Sequence, residues 1–317
     1  MPPFTGRRLA DGRRRLFLAT QWVLAIAIVW FAMRALRGQW ANAAARLQSL
    51  HVEWSWIMAA TVVVILTYLL LIETWRRTVT GSGQKLSFGD AARIWFVSNL
   101  GKYIPGKIWS IAAMTMMARE SSVSGGVAAG SSVMIQLVMI AAGIGVVLVT
   151  GAQAVDHPAI AIAAAILILT MLALAPRLLP LAGRILTSLT GKAIDYPRMP
   201  PTLVWMAILS SAIAWIAYGI AFQLFVRGII GSAAGATTSY IAVYAASYII
   251  GFLALFAPGG AVVRESAIVT GMVRFALSGQ ADALAIALTS RLWLTITELL
   301  PGLTYMAIGK RTRKMND

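Results

Sequence analysis

Asn99-Leu100-Gly101-Lys102-Tyr103-Ile104-Pro105-Gly106-Lys107-Ile108-Trp109 lies in the middle of an otherwise apolar stretch, 88–118, and breaks it. Proline inside a helix removes one backbone hydrogen bond and clashes with the carbonyl one turn back. Glycine beside it lets the chain turn sharply. A second stretch, 239–275, is broken in the same manner by Phe256-Ala257-Pro258-Gly259-Gly260. Both breaks run aromatic, aliphatic, Pro, Gly, then a small or basic residue. Each follows an apolar helix and precedes a shorter one. In hydrocarbon, non-helical backbone survives only where protein or water satisfies it. Two such breaks therefore predict helix interruptions around a polar cavity, a simple kink being the plainer reading of either one alone.

Everything around these stretches is membrane-like. The chain has 317 residues, 59% hydrophobic and only 12% charged, and its mean hydropathy is +0.78. Soluble domains carry roughly twice that share of charge. Apolar runs near the ~20 residues needed to cross a bilayer occur at 16–33, 54–72, 123–150, 159–175, 203–226 and 283–308. The runs are continuous, which excludes the alternating strands of a β-barrel. Residues 178–193 place Leu178, Leu181, Ile185 and Leu189 along one side, away from Arg184, Ser188 and Lys192. That pattern predicts a separate amphipathic helix in the interface plane. The fold class is an all-α polytopic membrane protein, a single domain over 1–317. It has about six full spans plus two broken helix pairs: repeat 1 at about 16–150 and repeat 2 at about 202–308. If both broken regions are kinked full spans, the count is eight crossings.

Charge sets the orientation. The net charge is +16, from 27 Lys and Arg against 11 Asp and Glu. If the broken pairs are re-entrant and the N-terminus is cytoplasmic, most loop charge falls on one side. That side has Arg7, Arg8, Arg13, Arg14 and Arg15, then Arg76, Arg77 and Lys85, then Arg119, then Arg177, Arg184, Lys192 and Arg198, then Lys310, Arg311, Arg313 and Lys314. The other side keeps only Arg34, Arg37, Arg46, Arg227 and Arg274. The positive-inside rule favours this arrangement, with both termini cytoplasmic. The first break then enters from the cytoplasm and the second from outside, an inverted pair as in many secondary transporters. The basic loops would meet anionic lipid head groups.

The residues left at membrane depth carry the chemistry. Lys102 and Lys107 flank the first break, and Arg264 follows the second. Arg291 and Glu298 lie on the last span. Burying such charge is expensive, which suggests a role; the alternative for Lys102 and Lys107 is snorkelling to an interface. Arg264 and Glu265 are adjacent, about 100° apart on a helix, so they face different partners. Arg291 and Glu298 share a face but stand about 10.5 Å apart along the axis. The economical arrangement is cross-bracing, Glu265 to Arg291 and Glu298 to a cation near the first break, whether as a site or as structural salt bridges. Cations exceed acids at this depth, which predicts a negative ligand such as a phosphate. Helix starts after the breaks would add free N–H groups. Tyr240, Tyr244 and Tyr248 form an i, i+4, i+8 stripe that, with Ser247, lines a path for a head group or simply packs. The candidate binding residues are thus Lys102, Tyr103, Lys107, Arg264, Glu265, Arg291, Glu298, Tyr244 and Tyr248, around breaks at Pro105, Gly106, Pro258, Gly259 and Gly260. Gly126, Gly130, Gly143 and Gly145 fit close helix packing.

Other chemistries find little support. There are no cysteines and only two histidines, His51 and His157, so neither a metal site nor a nucleophile–His pair is expected. No nucleotide fingerprint occurs and no nucleic-acid module is recognisable. The expectation is a protein without cofactor or enzymatic activity.

The two breaks also carry a resemblance. Residues 99–109, together with Ala257-Pro258-Gly259-Gly260-Ala261-Val262-Val263-Arg264-Glu265, resemble the paired signatures of the lysylphosphatidylglycerol synthase transmembrane-region family, often called flippase-like. Gly260-Ala261-Val262 departs slightly from the family's usual Gly-Leu-Gly. The resemblance implies lipid translocation across a bacterial-type inner membrane. In fused members this domain is thought to flip aminoacylated phospholipid made by a cytoplasmic synthase domain; this chain ends at Asp317 without one and is expected not to aminoacylate. Which lipid is moved stays open. The rivals are a small-anion secondary transporter on the same scaffold, a membrane transferase using a polyprenyl carrier, and an accessory subunit.

Overall fold

The computed structural model of the chain describes residues 52–103, 108–152, 158–190, 200–254, 257 and 260–316. Among these there are helices and no strands. In chain order they are α1 (Trp54–Thr80), α2 (Phe88–Asn99), a 3-10 turn (Leu100–Tyr103), α3 (Ile108–Glu120) and α4 (Gly125–Thr150). Then follow α5 (Pro158–Thr190), α6 (Pro201–Ile230), α7 (Thr237–Leu253), α8 (Val263–Arg274) and α9 (Gln280–Asn316). The expected first span, 16–33, lies outside the described residues, as do Pro105, Gly106, Lys107, Pro258, Gly259 and both histidines.

Four helices are long and apolar enough to cross a bilayer: Trp54–Thr80, Gly125–Thr150, Pro201–Ile230 and the first 28 residues of α9. Half or fewer of the residues in their most apolar windows are buried within the protein. The rest is an apolar exterior: Met58, Val62, Leu66 and Leu69 on α1, and Leu292, Ile296, Leu300 and Leu303 on α9. Exposed apolar stripes of this extent have no place in water and are satisfied by acyl chains. The protein is a multi-pass membrane protein.

The two broken stretches are helix pairs. Helices α2 and α3 have 12 and 13 residues, about 18–20 Å each, short of the ~30 Å hydrocarbon core. They pack against each other. A Cβ on Gly101 would stand 2.9 Å from the Ser110 amide nitrogen, so only glycine fits where the chain comes back on itself. In the second pair, α7 has 17 residues and α8 has 12. A Cβ on Gly251 would lie 2.9 Å from Cβ of Arg264, and one on Gly260, at φ +68°, would lie 2.8 Å from the Gly251 carbonyl oxygen. Short paired helices folded onto one another are what re-entrant elements require.

One expectation is corrected. Residues 158–190 form a single helix, so 178–190 is the continuation of α5 rather than a separate interfacial element. Pro176 lies between the expected span and the expected interfacial helix and interrupts neither, because the fixed φ of proline suits a helix and one forfeited hydrogen bond is tolerated in membrane helices.

The core lies where α6 packs on α1, α4 and α7, and where α9 closes over α2 and α8. Aromatic rings supply its bulk: Trp75, Trp215, Phe222, Phe225 and Tyr240 are almost wholly buried. Their polar tips are used. Trp215 Nε1 donates to the Met139 carbonyl at 2.8 Å, tying α6 to α4. Trp293 Nε1 donates to Thr61 Oγ1 at 2.8 Å, tying α9 to α1, and its ring stacks on Phe225 at 4.6 Å. Gly143 makes room for the Trp215 ring, which a Cβ there would meet at 2.7 Å.

Candidate functional site

A cavity of about 240 Å³ opens between the two broken pairs. The first pair contributes Trp95, Asn99 and Lys102 from α2 and its turn, and Ser110 from α3. The second contributes Tyr244, Tyr248 and Arg264. Arg291 and Glu298 come from α9 and Tyr68 from α1. At this size it suits a head group rather than a drug-sized molecule.

The charges in and behind its wall are paired across elements. Lys102 Nζ donates to Glu298 Oε2, joining the first turn to α9. Tyr68 donates its hydroxyl proton to the other oxygen, Oε1, at 2.8 Å. Arg291 Nη1 donates to Glu265 Oε1 at 2.7 Å, joining α9 to α8. Both expected cross-braces are present. In each the acid is the more deeply buried partner, with side-chain exposure of 11% for Glu298 and 7% for Glu265.

Glu265 has a second task. Its Oε2 accepts the backbone N–H of Val262 at 2.5 Å, the cap of α8. Val262 stands at φ +71°, ψ −47°, a left-handed conformation that is a genuine outlier for a β-branched residue. Such conformations cost on the order of 1–3 kcal/mol and persist only where the surroundings over-determine them. Here Glu265 and Arg291 are those surroundings. The start of α8 was expected to offer free N–H groups to a ligand; its cap N–H is instead taken by Glu265.

That leaves Arg264. Its side chain lies between α7 and α8 with 8% of its surface exposed. The guanidinium carbon sits 5.5 Å from the Tyr244 ring centre and 6.0 Å from that of Tyr248, within cation–π range. Among the described residues no acceptor meets its Nε or Nη2 donors. Orphaned buried donors cost about 1–3 kcal/mol, and more on a charged group. Each carboxylate of the cavity is committed to another cation, so Arg264 carries a positive charge with no acid of its own among the described residues. A cavity wall with this character is complementary to an oxyanion, which a guanidinium can engage with two parallel hydrogen bonds.

Several candidates from the sequence therefore converge here: Lys102, Arg264, Arg291, Glu298, Tyr244 and Tyr248 line the cavity, and Glu265 stands behind it on Arg291. Tyr103 closes the 3-10 turn, but its side chain, like Lys107, lies outside the described residues. Tyr240 does not reach the cavity, because its hydroxyl donates to the Ala234 carbonyl at 2.8 Å. Ser247 is likewise turned away, onto the Tyr244 carbonyl. Sequence reasoning missed Tyr68, Tyr218 and Trp95. Tyr68, Tyr218, Tyr244 and Tyr248 form a ladder with ring centres 6.1, 5.7 and 6.5 Å apart. The ladder runs from Glu298 to Arg264. The available signal was a lone phenol inside each apolar span, at Tyr68 and Tyr218. No group of three or more metal-ligating side chains occurs among the described residues.

Against known families, the one described as lysylphosphatidylglycerol synthase TM region matches residues 18–302. No curated protein matches the chain.

Proposed function

The chain belongs to the lysylphosphatidylglycerol synthase TM-region family, and from that premise we propose that it is a non-enzymatic translocator of a phosphate-bearing lipid in a bacterial-type inner membrane. The observation that carries the proposal is Arg264: a guanidinium in a membrane-embedded cavity, with donors that no described residue accepts. A lipid phosphate supplies those acceptors and the missing negative charge. The acyl chains stay in the bilayer, where the exteriors of α1 and α9 are already apolar. Transfer then needs only the head group to cross, between two broken elements that each reach part of the way.

Glu265, Arg291, Lys102 and Glu298 position the site and do not carry the lipid. Their mutual pairing neutralises them and holds both turns against α9. This division of labour predicts that loss of Arg264 removes substrate binding, while loss of a brace loosens the whole arrangement.

The test is reconstitution in sealed vesicles containing acyl-labelled phosphatidylglycerol, with a membrane-impermeant reductant outside. Active protein should expose the inner-leaflet label to the reductant, and Arg264→Gln should return exposure to that of protein-free vesicles. If the label stays protected while radiolabelled inorganic phosphate enters the same vesicles, the protein is a small-anion transporter and the lipid proposal fails.

A further inference from the structure

The two cross-braces differ in whether they can open. Glu265 stands behind the cavity, with one oxygen on the Arg291 guanidinium and the other on the Val262 N–H. A guanidinium does not give up its proton, and the cap of α8 needs the second oxygen as an acceptor. Glu298 lines the cavity itself, and its partners are the Lys102 ammonium and the Tyr68 hydroxyl. A lysine stem is flexible and its ammonium is a rotatable point charge. Lys102 rises from the 3-10 turn at the edge of the first break, with 26% of its side chain exposed. A proton on Oε2 of Glu298 can therefore take the place of Lys102, while Oε1 goes on accepting from Tyr68.

An anion in the same cavity favours that exchange. Arg264 and Glu298 both line a space of about 240 Å³, so an anion held on Arg264 brings a second negative charge near the Glu298 carboxylate. Two like charges about 10 Å apart, at an effective dielectric of about 20, disfavour each other about tenfold. The charged and titratable groups facing Glu298 are Tyr68 on α1, Lys102 on the turn, Tyr218 on α6, Tyr244 and Tyr248 on α7, Arg264 on α8 and Arg291 on α9 itself. Among the described residues, α2, α3 and α4 line the cavity with neutral side chains. Glu298 is the one carboxylate in this set, and carboxylates titrate on the acid side of neutrality, far from lysines, arginines and phenols.

Resting on the anion reading of Arg264, we infer that transfer is proton-coupled and that Glu298 is the proton site, an anion on Arg264 and a proton on Glu298 loading the cavity together. The chemical step is one O–H bond, formed on Oε2 with a proton from water; the ion pair to Lys102 is the interaction lost. Loading thus unfastens the first turn from α9, while the Glu265–Arg291 brace keeps the second pair in place. The loaded protein holds more protons than the empty one, so anion affinity rises as pH falls.

Dibutyl phosphate is a suitable probe: as a diester it stays a monoanion around neutrality, so a proton taken up on binding belongs to the protein. It is titrated calorimetrically into the full-length protein in detergent, in buffers of low and of high ionisation enthalpy. In the unmodified protein the binding heat should depend on the buffer, reporting proton uptake, and affinity should rise about tenfold from the basic to the acidic limit. Lys102→Met combined with Glu298→Gln removes both charges together and leaves neither buried alone; this protein should bind the diester with a heat and an affinity independent of buffer and pH. An infrared difference spectrum supplies a second readout. The diester should induce a carboxylic-acid band in the unmodified protein, and that band should shift in Glu298→Asp, which keeps the charge. A buffer-independent heat in the unmodified protein, proton release, equal uptake in the double exchange, or an absent or unshifted band overturns the proton site. In any of those cases, binding that is lost in Arg264→Gln leaves the anion reading standing. No binding of the diester by the unmodified protein overturns both.

Discussion

Arg264 couples stability to function in a way that can be separated by substitution. As a buried cation with orphaned donors it destabilises the unliganded protein. Arg264→Met keeps the aliphatic stem against Tyr244 and removes the charge. That variant should unfold in detergent at a higher temperature than the unmodified protein, by the equivalent of about 1–3 kcal/mol, and should not bind phosphodiester. A lower unfolding temperature would make Arg264 a structural residue. Arg264→Lys should retain weak binding at best, since a point charge cannot reproduce a planar, bidentate fork. Val262 is the second residue where stability and use diverge. Val262→Gly relieves the positive φ and should raise thermal stability by about 1 kcal/mol, while weakening anion affinity, because the cap that aims Arg264 is no longer forced. Calorimetric unfolding and titration with a water-soluble phosphodiester, on the same preparation, check both effects.

At the scale of elements, the two broken pairs depend on α9 as a common strut. Glu298 accepts from the first turn and from Tyr68 on α1; Arg291 reaches the second pair through Glu265. Removing one partner of a buried pair costs about 3–5 kcal/mol, so Glu298→Gln should lower thermal stability sharply. The double exchange Lys102→Glu with Glu298→Lys should recover part of that loss, measurable as a coupling energy in a double-mutant cycle. Glycines act on the same elements by space. Gly260→Ala meets both a positive φ and the Gly251 carbonyl; it should destabilise the second pair by about 1–3 kcal/mol and reduce transport, whereas Gly279→Ala, with open space around it, should change neither.

These braces show what a sequence discloses and what it withholds. Opposite charges spaced so that they could not pair within one helix, at Arg291 and Glu298, forced partners on other helices, and the structure supplies them. The breaks were legible because Pro-Gly inside an apolar run has few meanings. By contrast, Pro176 is followed by Arg177 rather than by glycine, and it does not end α5, since one lost hydrogen bond alone does not stop a helix that neighbours and lipid support. The tyrosine ladder was half-read: a stripe on α7 suggested Tyr240, Tyr244 and Tyr248, but Tyr68 and Tyr218 join it from distant spans, and Tyr240 leaves it for a nearby carbonyl. Contacts between helices far apart in the chain are set by packing, which no local pattern records. Asn99, Ser110 and Gln136 escaped for the same reason, each being an unremarkable polar residue until three helices bring them to one cavity.

The whole molecule is a bundle of apolar-surfaced spans enclosing two helix pairs that are each too short, in part or in whole, to cross alone. Their meeting encloses polar groups where the bilayer would otherwise exclude them, in a chain that belongs to the lysylphosphatidylglycerol synthase TM-region family. In the proposed translocator a lipid phosphate sits on Arg264. Solid-state NMR of arginine-15N-labelled protein in phosphatidylglycerol bilayers tests it most directly, by dephasing of guanidinium nitrogens through lipid 31P. A close, buried nitrogen–phosphorus contact is expected in the unmodified protein and is lost in Arg264→Gln, superimposed on the weaker signal of interfacial arginines. Identical dephasing in the two proteins would contradict it.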